Sequence, residues 1–278
     1  MSDTKTITEG MLLVLDVETT GTDPLSDSIV ELGGAYVRGA QLYGDTLSTR
    51  VNPQRYISAE STRIHGISNE DVERCPPWSV VSPWLQRHVE RPQGEEPPLV
   101  CGYNILHFDL PIINDENRRA ELDWRLREDR VLDTYLYCRW FHPEHQSKLG
   151  SMCKVYGVGL PEDRAHSADA DSAATALLTI AMVWAGYIPD DVEEALRFQA
   201  QIKRQMEEEQ ERYGRGFYVD RSNPDRLLIA RGVHRGKCIF EMPPHYIQGV
   251  IKEWKSTEIT DEARALIKER TKRQEELF

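Results

Sequence analysis

No apolar run in the sequence approaches the roughly 20 residues that a membrane-spanning helix needs, and no internal repeat or low-complexity block is present. A membrane partner is therefore not expected. The five cysteines, Cys75, Cys101, Cys138, Cys153 and Cys238, stand singly. Without a CxxC pair a zinc site is not expected either, and a reduced, cytoplasmic setting is. The opening segment MSDTKTITEG is polar and lacks the apolar core of a secretory leader. Positive charge is short as well: 34 Lys and Arg face 46 Asp and Glu, a net charge of −12. That balance argues against a protein gripping long nucleic acid over a basic surface. The shortage is uneven, because Arg221 to Phe278 hold 12 basic against 9 acidic residues, or +3, which leaves −15 for the first 220.

What is present suits an ordinary globular protein: 278 residues, 40% apolar and 29% charged, enough for one large domain or two smaller ones. The run LLVLDVETTG at 12–21 reads as a buried strand. SIVELGGAYVRG and QLYGDTLSTRVNP read as antiparallel strands joined at RGAQ. SNEDVERCP opens a helix capped by Ser68, and SVVSPWLQRHVE reads as another. PLVCGYN is a second buried strand, DLPIINDENRRAEL a helix, RVLDTYLYCRWF a strand passing into a helix, and SKLGSMCKVYGV a helix ending at Gly157. HSADADSAATALLTIAMVWAG is a long Ala-rich helix. Three strands followed by alternating strand and helix predict an α/β mixed sheet flanked by helices. Beyond Pro189 the chain reads as a charged helical connector, a turn-rich break at YVDRSNPD, a compact stretch and a final helix.

The chemistry is suggested by where the acids fall. Side chains alternate along a strand, so Asp16 and Glu18 point the same way at the end of an apolar run. Two carboxylates so close cannot both stay ionised unaided. Either this strand end is bathed in water or something positive belongs there. Asp109 follows a second apolar strand, and Asp171 lies in the first turns of the Ala-rich helix, with His166 at or just before its start. Four carboxylates from separated elements can converge on Mg²⁺ or Mn²⁺, hard ions that take oxygen ligands, and a pair of such ions suits phosphodiester cleavage.

DVETTG, YNILHFD and HSADAD, in this order and with His166 five residues before Asp171, resemble the three motifs of the DEDDh 3′–5′ exonucleases. That superfamily, on a ribonuclease-H-like fold, includes polymerase proofreading subunits, exonuclease I, exonuclease X, ribonuclease T and oligoribonuclease. The resemblance covers residues 11–186. TRIHGISNEDVERCP is similar to a segment of the proofreading and exonuclease I branches, and the three residues between Asn104 and Phe108 match exonuclease I. RGVHRGKCIFEMPPHYIQGVIKEW resembles a small α+β module at the C-terminus of exonuclease-X-like proteins. The implied organisation is an exonuclease domain at 1–187, a charged helical linker at 188–216 and a C-terminal module at 217–278.

The resemblance implies two ions, Mg²⁺ or Mn²⁺. One is held by Asp16, Glu18 and Asp171, and the other by Asp16 with Asp109. His166 takes a proton from the attacking water. Val17, Thr19, Thr20, His65, Asn104 and Phe108 wedge or stack the terminal bases, with a turn-stabilising role standing beside that one for His65. Asp133 reads as a structural acid, and Trp78 and Trp84 as packing residues. DNA is the expected substrate, releasing nucleoside 5′-monophosphates from single strands or 3′ overhangs. RNA is the alternative, as is a non-catalytic nucleic-acid-binding scaffold, although all five motif residues are present. The C-terminal module is expected to touch nucleic acid through Arg231, Arg235 and Lys237, or else to bind a protein partner.

Overall fold

The computed structural model describes residues 6–90, 96–145, 147–159 and 167–275, the side chains of 273–275 excepted. The chain divides into two compact units, one of Met1–Phe141 with Ser147–Gln199 and the other of His142–Gln146 with Ala200–Phe278.

The first unit is organised by β1 (Met11–Thr19), whose residues Leu12 to Leu15 are fully buried. A strand covered on both faces is a continuous apolar run rather than an alternating one, as LLVL is. The sheet also contains β2 (Ile29–Arg38), β3 (Gln41–Leu42), β4 (Leu47–Arg50), β5 (Leu99–Gly102) and β6 (Val131–Asp133). Their order is β3-β2-β1-β5-β6, with β4 also paired to β2. β1 runs antiparallel to β2 and parallel to β5, and β5 runs parallel to β6, which makes the sheet mixed, as expected.

The connections carry α1 (Ala59–His65), α2 (Asn69–Val72), α3 (Trp78–Glu90), α4 (Asp109–Arg119), α5 (Thr134–Phe141), α6 (Leu149–Tyr156) and α7 (Ala168–Trp184). α1 is not among the sequence-based expectations, although its signals are present. Ser58 caps its start by accepting from the Ser61 amide, and Gly66 ends it in the left-handed conformation at φ 76°. The helix expected at SNEDVERCP is a single turn, α2, closed by a capping box between Ser68 and Asp71. α7 packs against β1 and β2 through small buried residues that include Ala168, Ala174 and Ala176.

The charged connector is also helical, forming α8 (Val192–Tyr213). Its first part belongs to the first unit and completes the sheet edge. The Gln199 side chain accepts from the Asp133 amide at 2.6 Å and donates to the Val131 carbonyl at 2.8 Å. The Tyr137 hydroxyl donates to the Ala195 carbonyl at 2.6 Å. No helix among the described residues is long and apolar enough to cross a membrane.

The second unit is α+β. The expected break at YVDRSNPD is instead the tip of a hairpin formed by β7 (Phe217–Asp220) and β8 (Asn223–Ile229). Polar turn residues dominate that segment, so the short flanking strands carry little pattern of their own. α9 (Pro244–Glu253) and α10 (Asp261–Glu275) cover the hairpin, and Phe217, Ile229, Ile247, Val250 and Ile267 share the core.

Candidate active site

The C-terminal end of β1 carries Asp16 and Glu18 on one face of the sheet, and α7 delivers Asp171 to them. The approach depends on Gly33, which pairs with Asp16 in the β1/β2 ladder. A methyl group at Gly33 would overlap the backbone of Ala168, the first residue of α7. Glycine therefore lets the helix start directly over the strand. One carboxylate oxygen from each of Asp16, Glu18 and Asp171 lies within 4.8 Å of the others, all three residues being partly buried.

Asp109, the first residue of α4, is buried beside this group. Its Oδ1 accepts from the Val17 amide at 3.0 Å, so the peptide between Asp16 and Glu18 ties β1 to α4. The chain reaches that position through a bend at Asn104, whose φ of 66° suits an Asn better than most residues. The buried Asp133 holds the bend by accepting from the amides of Asn104 at 2.8 Å and Leu106 at 3.2 Å. Asp133 is thus structural, as expected. Partly buried Phe108 precedes α4, and His107 beside it is exposed.

The electrostatics of the cluster are those of crowded, desolvated anions. Burial pushes the Glu18 carboxyl up to about 8, with Asp171, Glu31 and Asp109 adding repulsion. Burial also holds the Asp16 carboxyl well above the usual carboxylate range, reinforced by Asp109, Glu18, Asp171 and Glu31. Asp109 is raised to about 7 by burial, although the bond from Val17 opposes the shift. The set is all-oxygen, anionic and clustered, which is the donor chemistry that Mg²⁺ or Mn²⁺ requires.

Three expected base-contacting side chains point elsewhere. Val17, Thr19 and Thr20 are buried. Thr20 Oγ1 donates to Asp27 at 2.8 Å and accepts from the Ser28 amide at 3.0 Å, and Thr19 Oγ1 donates to the Gly21 carbonyl. These side chains shape the loop after β1. His65 Nδ1 accepts from the Ile67 amide at 3.1 Å, which makes Nε2 the donor to the Thr19 carbonyl at 3.2 Å. His65 therefore docks the end of α1 on the end of β1. Asp169, the other acid of HSADAD, binds the hydroxyls of Ser167 and Thr46. His166 lies outside the described residues.

In the second unit two of the three expected nucleic-acid contacts are engaged internally. Arg231 pairs with Glu258 and lies 4.8 Å above the Trp254 ring. Arg235 Nε donates to the Pro143 carbonyl at 3.0 Å. Both guanidiniums have partners within this unit, although Arg231 is exposed, as is Lys237. Glu31 and Gly33 escaped the sequence reading. Their signal was an acid and a glycine interrupting the otherwise apolar run SIVELGGAYV.

The model of an exonuclease family, RNase_T, matches residues 13–179. The chain belongs to this exonuclease family. It is 30% identical over 167 residues to a PolC-type DNA polymerase III of Latilactobacillus sakei, covering 60% of this chain and 11% of that protein. It is also 30% identical over 168 residues to the 3′-5′ exonuclease DinG of Bacillus subtilis, covering 60% of this chain and 17% of the relative. The exonuclease-family chain thus spans a small part of the length of the relatives it matches. Escherichia coli exonuclease I, solved with a dT13 oligonucleotide, shares the fold, with a TM-score of 0.53 at 19% identity over 63% of this chain and 41% of that one.

Proposed function

We propose that the protein is a divalent-metal-dependent 3′–5′ exonuclease acting on DNA, and that it releases nucleoside 5′-monophosphates. The observation that carries this reading is the meeting of Asp16, Glu18 and Asp171 oxygens within 4.8 Å, desolvated and mutually repelling. DNA is favoured because the relatives include a DNA polymerase and the related structure holds a DNA oligonucleotide.

In this reading Asp16, Glu18 and Asp171 would hold one divalent ion, and Asp16 with Asp109 would serve a second. Bound ions supply charge stabilisation at the phosphate oxygens and acidify water. The bond from the Val17 amide keeps Asp109 in place beside Asp16. His166 accepts the proton of the attacking water. Water adds to phosphorus, the bond to the preceding 3′ oxygen breaks, and a 3′ hydroxyl and a 5′-monophosphate remain. Phe108, half-buried beside Asp109, contacts the terminal base, since stacking tolerates any sequence. Asn104 shapes the loop that presents it, and His65 is held at the same end of β1. The second unit tethers nucleic acid or a protein partner, with Lys237 its available contact.

The test uses 5′-labelled single- and double-stranded DNA and RNA oligonucleotides with Mg²⁺, Mn²⁺ or EDTA. A descending ladder on DNA is expected, abolished by EDTA and by Asp16→Ala or Asp171→Ala. His166→Ala is expected to slow turnover by ~10²–10⁴-fold while leaving metal binding in place. Undiminished cleavage in EDTA, or immediate release of the 5′ label alone, overturns the proposal. Preferential digestion of RNA moves the substrate to the other nucleic acid.

A further inference from the structure

Glu31 is the direct cross-strand partner of Glu18 in the β1/β2 ladder. Opposed like charges in an antiparallel pair are destabilising, and Glu31 adds to the repulsion on both Asp16 and Glu18. It is not one of the three residues whose oxygens cluster. An acid placed at this cost has another task, and its hydrogen bonds show which.

Glu31 Oε2 accepts from the Ala168 amide at 3.3 Å, while Oε1 accepts from the Ser48 hydroxyl at 3.2 Å. Ala168 opens α7, and a helix leaves its first amides without intrahelical acceptors. The usual remedy, a cap from the preceding side chain, is not used. Ser167 makes no capping bond, and its hydroxyl binds Asp169 instead. The cap comes from the sheet, and a carboxylate suits a helix N-terminus electrostatically. Gly33 lies two residues further along the same face of β2 and receives the Ala168 backbone at close range. Glu31 and Gly33 together make a seat for the first turn of α7, and Asp171 is three residues beyond Ala168.

We propose that Glu31 is a positioning residue: from β2 it fixes the start of α7 so that Asp171 meets Asp16 and Glu18. The inference deepens the exonuclease reading and rests on it for the consequence in catalysis. It concerns the hydrogen bond to Ala168, and Glu31 itself holds no ion.

The experiment compares Glu31→Ala and Glu31→Gln with the wild-type full chain, reading Mn²⁺ affinity by titration, kcat and KM on a short 5′-labelled DNA strand, and thermal melting. Direct outer-sphere partners of metal ligands change affinity by roughly 10–100-fold. Glu31 acts one step further away, through the Ala168 backbone, so Glu31→Ala is expected to weaken Mn²⁺ by about 10-fold, the lower end of that range, and to lower kcat with little change in KM. Glu31→Gln keeps an acceptor for the Ala168 amide and is expected to recover most of both. Should Glu31→Ala not fold, Glu31→Asp serves in its place, because the shorter carboxylate withdraws from Ala168 while keeping its charge. Wild-type Mn²⁺ affinity in Glu31→Ala overturns the inference, as does a lowered melting temperature without loss of affinity. A Gln variant as impaired as the Ala variant also overturns it. If the wild type digests no nucleic acid, the exonuclease reading fails, and the Mn²⁺ titration still decides the role of Glu31.

Discussion

The amide of Val17 donates to Asp109 Oδ1 at 3.0 Å across 92 positions of sequence. The bond joins the peptide between Asp16 and Glu18 to the first residue of α4, and so couples two motifs that no local pattern connects. Asp109→Asn retains an acceptor for Val17 and removes a desolvated carboxylate, whereas Asp109→Ala leaves the buried amide unpaired, at about 1–3 kcal/mol. Metal-free melts are expected to rank Asn above Ala, with both variants inactive on labelled DNA. An Ala variant as stable as Asn would show that the bond contributes nothing.

The raised acids set the pH dependence of the metal-free protein. The Glu18 carboxyl moves from 4.5 up to about 8 on folding, and Asp109 from 3.8 to about 7. In such a window the folded state binds more protons than the unfolded one, so stability falls as pH rises. Their contribution is complete below pH about 4 and lost by about 8. Chemical denaturation in EDTA should therefore show decreasing stability across this range, and Glu18→Gln should flatten the slope. Saturating Mn²⁺ should offset the loss at high pH, because the ion favours the ionised carboxylates. A slope unchanged in Glu18→Gln would contradict the assignment.

Gly33→Ala places a methyl group against the Ala168 backbone. The helix start must move or the strand must, and overpacking of this kind costs roughly 1–3 kcal/mol. Urea unfolding should report that loss. Turnover should fall further than stability explains, since Asp171 moves with α7. Wild-type kcat in a folded Gly33→Ala protein would show that the seat tolerates displacement.

Arg231 and Lys237 should behave differently. Arg231 holds Glu258 and Trp254, so Arg231→Ala is expected to lower the melting temperature of the second unit and leave the salt dependence of DNA binding unchanged. Lys237 is exposed, and if it contacts a phosphate, Lys237→Ala should reduce the salt slope by about 0.7–0.9. Unaltered slopes in both variants would point to a protein as the partner of this unit.

The sequence alone determined the strand ending in Asp16 and Glu18, the helices bearing Asp109 and Asp171, and the mixed α/β class. Each of these rests on a local signal: a continuous apolar run, a helix-forming composition, or a motif short enough to be read in one segment. Only the tertiary structure decided that Val17, Thr19 and Thr20 face inward and that Arg231 and Arg235 are engaged internally. It alone revealed the seat that Glu31 and Gly33 form for α7. Burial and hydrogen-bond partners depend on residues distant in the chain, and an acid or glycine inside an apolar strand has the same local appearance whatever packs upon it. Glu31 and Ala168 are 137 positions apart, and their bond exists only because α7 crosses β2 at Gly33.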